Sequence, residues 1–128
     1  MRSVTAQAVV LAEPINLWGG LDPASGLIVD PHHPQRDMLV TNRIMVVRGT
    51  SGSSSGSGVF VEAMRLGKAP AGVILPKPDL QIEMAALLAE ELYDLWLPIA
   101  VVPDDIYARI RTNMRVEVRQ DGTITLST

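Results

Sequence analysis

The ten residues Gly49 to Gly58 read Gly-Thr-Ser-Gly-Ser-Ser-Ser-Gly-Ser-Gly, and any fold of this chain has to accommodate them. Composition alone makes such a run a flexible linker. A linker here would cut the 128 residues into pieces of about 50 and 70. Each piece is too small to hold a secure core without disulfides or a metal, and the chain has no cysteine. The flanks also argue against a linker. Ile44-Met45-Val46-Val47 is an uninterrupted apolar run of strand length. Val59, Phe60, Ala63, Met64 and Leu66 fall at helical spacing, with Ser57 placed to cap the start and Gly67 to supply a left-handed stop. The segment therefore reads as a structured loop between a buried strand and a helix. At that place successive backbone N–H groups and the helix dipole favour an anion. Glycines let the backbone approach a ligand closely, and serine hydroxyls add donors. Gly52, Ser55, Gly56 and Ser57 are the expected ligand contacts.

Two familiar loop chemistries fit poorly. The lysine of a nucleotide-hydrolase phosphate loop is absent. A Gly-x-Ser-x-Gly nucleophile elbow can be laid on Gly52–Gly56 with Ser54 at its centre. Its triad would then need His32 or His33, against the usual chain order.

Around the loop, Val4–Ala12 reads as a strand. Trp18–Pro34 is a turn-rich excursion with a short strand at Leu27-Ile28-Val29, and Gly72–Leu75 is a second buried strand. Ile82, Ala85, Ala86, Ala89, Tyr93 and Trp96 repeat at three- and four-residue steps, which predicts an amphipathic helix over 80–95. Ile99–Val102 is a further strand. Met114–Arg119, the Asp121-Gly122 turn and Thr123–Leu126 make a C-terminal hairpin. Parallel βαβ crossovers in the middle and β-rich ends predict a three-layer α/β domain with more than one sheet, a single domain spanning residues 1–128. His33, in a proline-flanked loop, is expected to be solvated or else to brace the loop or orient a substrate. Asp22, before Pro23, is expected to form an Asx-type turn or to touch substrate or partner.

Composition excludes several classes. A net charge of −3 and a pI near 5.2 provide no basic surface for a nucleic acid. Without cysteine there is no thiolate nucleophile and no cysteine ligand for zinc or an iron–sulfur cluster, so any such centre must sit elsewhere. No apolar stretch reaches the roughly 18 residues needed to cross a bilayer, and the first residues lack an apolar signal segment. A cytoplasmic protein is the expectation.

Gly52 to Leu75, Gly-Ser-Ser-Ser-Gly-Ser-Gly-Val-Phe-Val-Glu-Ala-Met-Arg-Leu-Gly-Lys-Ala-Pro-Ala-Gly-Val-Ile-Leu, closely resembles the swivel domain of the aconitase X family. Trp18–Pro23, Gly26–Asp30 and His33-Pro34 look like that family's N-terminal signature, and Ala89–Tyr93 like its later helix. The resemblance implies a swivelling β/β/α domain and a small subunit paired with a large one. It also implies dehydration of a hydroxy acid: cis-3-hydroxy-L-proline in bacteria, phosphomevalonate in archaea. Iron or an iron–sulfur cluster would belong to the large subunit and none to this chain. Aligned with the pattern Gly-x-Gly-Ser-Ser, the catalytic serine is Ser53, with Ser54 beside it. Gly49-Thr50-Ser51 departs from the family's Gly-Arg lead-in, which leaves the substrate open; cis-3-hydroxy-L-proline is the expectation.

Two other readings stand beside this one. Ala85–Leu92 followed by Pro98–Val102 also resembles the phosphohistidine swivelling domain of phosphoenolpyruvate-using enzymes, but Met84 occupies the acceptor histidine's place. A stand-alone anion-binding or regulatory module is the non-enzymatic alternative.

Overall fold

Alternation along the strands sorts the core into two halves. In the computed structural model, which describes residues 1–127, Ile44, Met45, Val46 and Val47 have no solvent exposure. This is what an uninterrupted apolar strand covered on both faces requires. Strands β1 (Ser3–Val10), β2 (Ile15–Asn16), β3 (Ile44–Val46), β4 (Thr50–Ser51), β5 (Gly72–Leu75), β6 (Ile99–Val101), β7 (Arg115–Arg119) and β8 (Ile124–Ser127) alternate with helices α1 (Leu17–Gly20), α2 (Gly56–Arg65), α3 (Leu80–Tyr93) and α4 (Asp104–Tyr107). Six strands form one mixed sheet in the order β6-β5-β3-β1-β7-β8, and β2 and β4 form a separate parallel pair. Thr128, the last residue of the expected domain, lies outside the described residues.

β1 joins the two characters of the sheet. Its first half, Ser3–Gln7, pairs antiparallel with β7, and its second half, Ala8–Val10, pairs parallel with β3. The sheet curls so that β6 returns against β7. Val9, Met45, Val47, Val73 and Leu75 face Phe60, Ala63, Ile82 and Ala85 of the two long helices. The alternate residues Ala8, Ile44, Val46 and Ile74 face Tyr107, Ile110, Val116 and Val118. Helices, parallel strands and curled-over antiparallel strands thus stack as the expected α/β arrangement with mixed pairing.

Three local expectations need correction. Leu27–Val29 makes only isolated bridges, Leu21 with Ile28 and Leu27 with Leu39, because the excursion folds back too tightly to build a ladder. Ser57 is not the cap of α2. The turn at Ser53–Ser55 starts the helix earlier, with Ser55 at the cap position and no side-chain cap bond. Trp96 lies beyond α3, which stops at Asp94 in a left-handed conformation (φ 53°), and Tyr93 is exposed. The two-residue strands β2 and β4 carry too few residues to show a period, and the sequence reading did not anticipate them. Gly67 does end α2 as expected. At φ 72° its N–H reaches Met64 O (3.1 Å) and the N–H of Lys68 reaches Ala63 O (2.8 Å), which is a Schellman motif.

Candidate functional site

β1, β3, β5 and β6 run parallel, so the segments that follow them gather at one edge of the sheet, where ligands of open α/β sheets bind. The serine loop follows β3 and the turn Pro76–Asp79 follows β5. The loop is fastened before it reaches the serines. Ile15 N–H donates to Gly49 O (3.1 Å), and β4 pairs with β2. The N–H of Thr50 donates to Asp79 Oδ2 (2.8 Å), and its hydroxyl lies 2.9 Å from each Asp79 oxygen. Asp79 also caps α3, accepting the N–H of Ile82 at Oδ1 (3.1 Å).

Gly52 then turns the chain with φ +80°, a conformation that disfavours a side chain. A Cβ there would also stand 2.6 Å from Oδ1 of Asn16. Gly56 is buried, and its missing side chain lets the mouth of α2 rest on Leu17 of α1 and on Gln81 of α3. The oxygens Asn16 Oδ1 and Gln81 Oε1 are buried beneath the loop with no hydrogen-bond partner.

Ser53, Ser54 and Ser55 are exposed and Ser57 is half-buried. Ser53 Oγ accepts the N–H of Ser55 (3.1 Å), and Ser53 O accepts that of Gly56 (3.1 Å). Ser57 Oγ donates to Ser54 O at 3.5 Å. Among the described residues the amides of Ser53, Ser54 and Ser57 make no hydrogen bond, and they lie at the positive end of the α2 dipole. The loop thus brings these three amides and the exposed Ser53 and Ser54 side chains together at the start of α2. Just ahead of the loop in the chain, Arg48 lies over the Tyr107 ring, 4.9 Å from its centroid. Burial pushes the Tyr107 phenol up, against a smaller opposing effect of Arg48.

The other two expected site residues make their bonds away from the serine loop. Asp22 Oδ2 accepts the Ser25 hydroxyl (2.6 Å) and Oδ1 accepts the N–H of Ala24 (3.1 Å). The Ser25 bond, followed by the Ala24 bond, holds this carboxyl below the ordinary aspartate range. His33 is buried, where a solvated ring was expected. Its Nδ1 accepts the N–H of Gln35 (3.0 Å), which leaves the proton on Nε2, 3.2 Å from Glu13 O. Gln35 Oε1 in turn accepts the N–H of Ala12 (2.9 Å). His33 and Gln35 thereby hold the strap Ala12–Glu13 that leads into β2. No hydrogen bond among the described residues joins Asp22 or His33 to residues 49–58.

Sequence reasoning missed Asp79, Asn16 and Gln81. Asp79 had a usable signal, an aspartate just ahead of an apolar-periodic run. The two amides had none, since only the fold brings them under the loop. An open cavity lies at the opposite end of α2, lined in part by Met64, Gly67 and Trp96. No helix among the described residues is long and apolar enough to cross a membrane.

Residues 1–126 match the family model described as the aconitase X swivel domain. The chain is 40% identical over 86 residues to a cis-3-hydroxy-L-proline dehydratase of Pseudomonas aeruginosa, covering 67% of this chain and 15% of that protein. It is 32% identical over 87 residues to the phosphomevalonate dehydratase small subunit of Methanopyrus kandleri, covering 68% of this chain and 64% of the relative. The chain therefore spans only about 15% of the length of the hydroxyproline dehydratases it matches. Among solved structures it superposes on Thermococcus kodakaraensis aconitase X in the holo-form. There the TM-score is 0.88 and the identity 23%, with 99% of this chain and 92% of that chain covered.

Proposed function

Because this chain belongs to the aconitase X swivel-domain family, we propose that it is the small, swivelling component of a hydro-lyase. In this reading it carries the Ser53 loop to a larger, metal-bearing partner that dehydrates a hydroxy acid. The observation that carries the reading is the placement of Ser53 Oγ, which accepts the Ser55 N–H (3.1 Å) at the mouth of α2.

Dehydration next to a carboxylate breaks a Cα–H bond and a Cβ–OH bond and forms a double bond between the two carbons. The proton needs a base, and the hydroxyl must be protonated to leave as water. A serine hydroxyl is a weak acid, and it serves as a base only if its anion is stabilised. A donated N–H and the positive end of a helix both favour negative charge on Ser53 Oγ. In the isolated chain Ser53 is exposed, so closure against the partner has to expel water before these dipoles act at full strength. Ser54 is the neighbouring hydroxyl, and Gly52, Ser55, Gly56 and Ser57 form the cradle for the substrate carboxylate. Asp22 and His33 serve the site through the backbone they hold.

The sequence has no cysteine, and among the described residues no three His, Cys, Asp or Glu side chains converge as a ligand set. These residues do not fit an iron or iron–sulfur group. The dehydratase relative at 40% identity favours cis-3-hydroxy-L-proline as substrate over phosphomevalonate, and a cytoplasmic location belongs to the same reading.

The test is reconstitution with the larger partner and assay of water elimination from cis-3-hydroxy-L-proline. Ser53→Ala should leave folding and partner binding intact and lower turnover about a hundredfold or more, the scale of a lost general base. Near-normal turnover moves the base to Ser54 or removes it from this loop. A chain that binds small anions but captures no partner supports the stand-alone binding module instead.

A further inference from the structure

We propose that Asp79 is the positioning residue of the serine loop, clamping Thr50 by both its amide and its hydroxyl while capping α3, so that loop and helix are carried as one unit. The proposal rests on the reading of the serine loop as the reacting segment. A helix cap needs one oxygen, and Asp79 Oδ1 supplies it to the Ile82 N–H at 3.1 Å. The remaining contacts exceed that need. Oδ2 accepts the Thr50 N–H at 2.8 Å, and the Thr50 hydroxyl lies 2.9 Å from both oxygens. A charged acceptor makes these stronger and shorter bonds than a neutral one.

Without the clamp, the hydrogen bonds that remain to β4 and its lead-in among the described residues are the two-residue ladder to β2 and the Ile15–Gly49 bond. Thr50 lies two residues before Gly52 and three before Ser53, so a shift at Thr50 moves the reacting hydroxyl. Misplacement of about 1 Å costs on the order of a hundredfold in rate.

The experiment uses the full chain and its reconstituted complex. Asp79→Ser keeps a good cap but is too short to reach Thr50. Thr50→Val keeps the cap untouched and removes the hydroxyl. Asp79→Ser should lower kcat about tenfold or more with KM changed by less than about twofold, and Thr50→Val should do so more weakly. The double variant should be no worse than Asp79→Ser alone, since both remove one coupling. Independently of turnover, hydrogen exchange of the Thr50 amide in the full chain should accelerate about tenfold or more in Asp79→Ser.

Wild-type kcat in Asp79→Ser, or losses that multiply in the double variant, would overturn the clamp. If Asp79→Ser does not fold, Thr50→Val decides: wild-type kcat with the hydroxyl half of the clamp gone overturns the clamp as well. If Ser53→Ala turns over normally, the loop is not the reacting segment. Thr50 exchange then judges the clamp on its own, with unchanged protection in Asp79→Ser overturning it.

Discussion

Gly52 and Gly58 look alike in the sequence and differ in what the fold asks of them. Gly52 has φ +80° and its α-carbon faces the Asn16 amide, where a Cβ would sit 2.6–2.7 Å from three amide atoms. Gly58 lies inside α2, and an added Cβ would meet nothing within 4 Å. Gly52→Ala should therefore destabilise the chain by about 2 kcal/mol and displace the loop. Gly58→Ala should stabilise it by about 0.5–1 kcal/mol. Paired urea titrations check both, and equal effects at the two positions would contradict this account. The serines were legible as candidates because their composition is unusual. The partners that hold them were less so: Asn16 and Gln81 approach from β2's end and from α3, far away in the chain, and no local pattern announces such contacts.

At the scale of elements, the strands and the two long helices were readable because a buried strand needs a continuous apolar run and an amphipathic helix a 3.6-residue period. Caps and tight turns were less so, since one hydrogen bond decides them. The Asp22 turn was legible, since the Asp-Pro pair announced an Asx-type turn and Asp22 Oδ1 does accept the Ala24 N–H, and it has a measurable consequence. The carboxyl of Asp22 is held below its ordinary range by the Ser25 hydroxyl and then the Ala24 amide. A depressed folded-state value means that the turn's contribution is complete above the unfolded aspartate value of about 3.9 and fades as pH falls through the folded one. Asn at this position keeps an acceptor for Ala24 but loses the charged partner of Ser25. The difference in melting temperature between wild type and Asp22→Asn should accordingly hold steady near neutrality and shrink as the pH drops below about 4. A gap that stays constant into acid would show that the carboxylate charge does not matter to the turn.

At the scale of the whole molecule, β1 belongs to both the antiparallel and the parallel part of the sheet, so the two halves of the core are expected to open together. Phe60 fills the helix-side core and Ile74 the opposite one, and both have no exposure. Phe60→Ala should cost about 3–5 kcal/mol and Ile74→Ala about 2–5 kcal/mol. Each should shift one and the same cooperative transition, as expected of the single domain we propose for residues 1–128. Two separable transitions by circular dichroism and tryptophan fluorescence would contradict it. By itself, the sequence determined where the longer strands and the two long helices form and that the serine loop joins a buried strand to a helix, because apolar period and backbone preference are local properties. It also carried the family resemblance, because that lies in a contiguous motif. Only the tertiary structure decided that the sheet is continuous through β1, that His33 is buried against the strap before β2, and that Asp79 grips Thr50. Those outcomes depend on which distant surfaces meet, and that is settled by packing the two faces of one curled sheet.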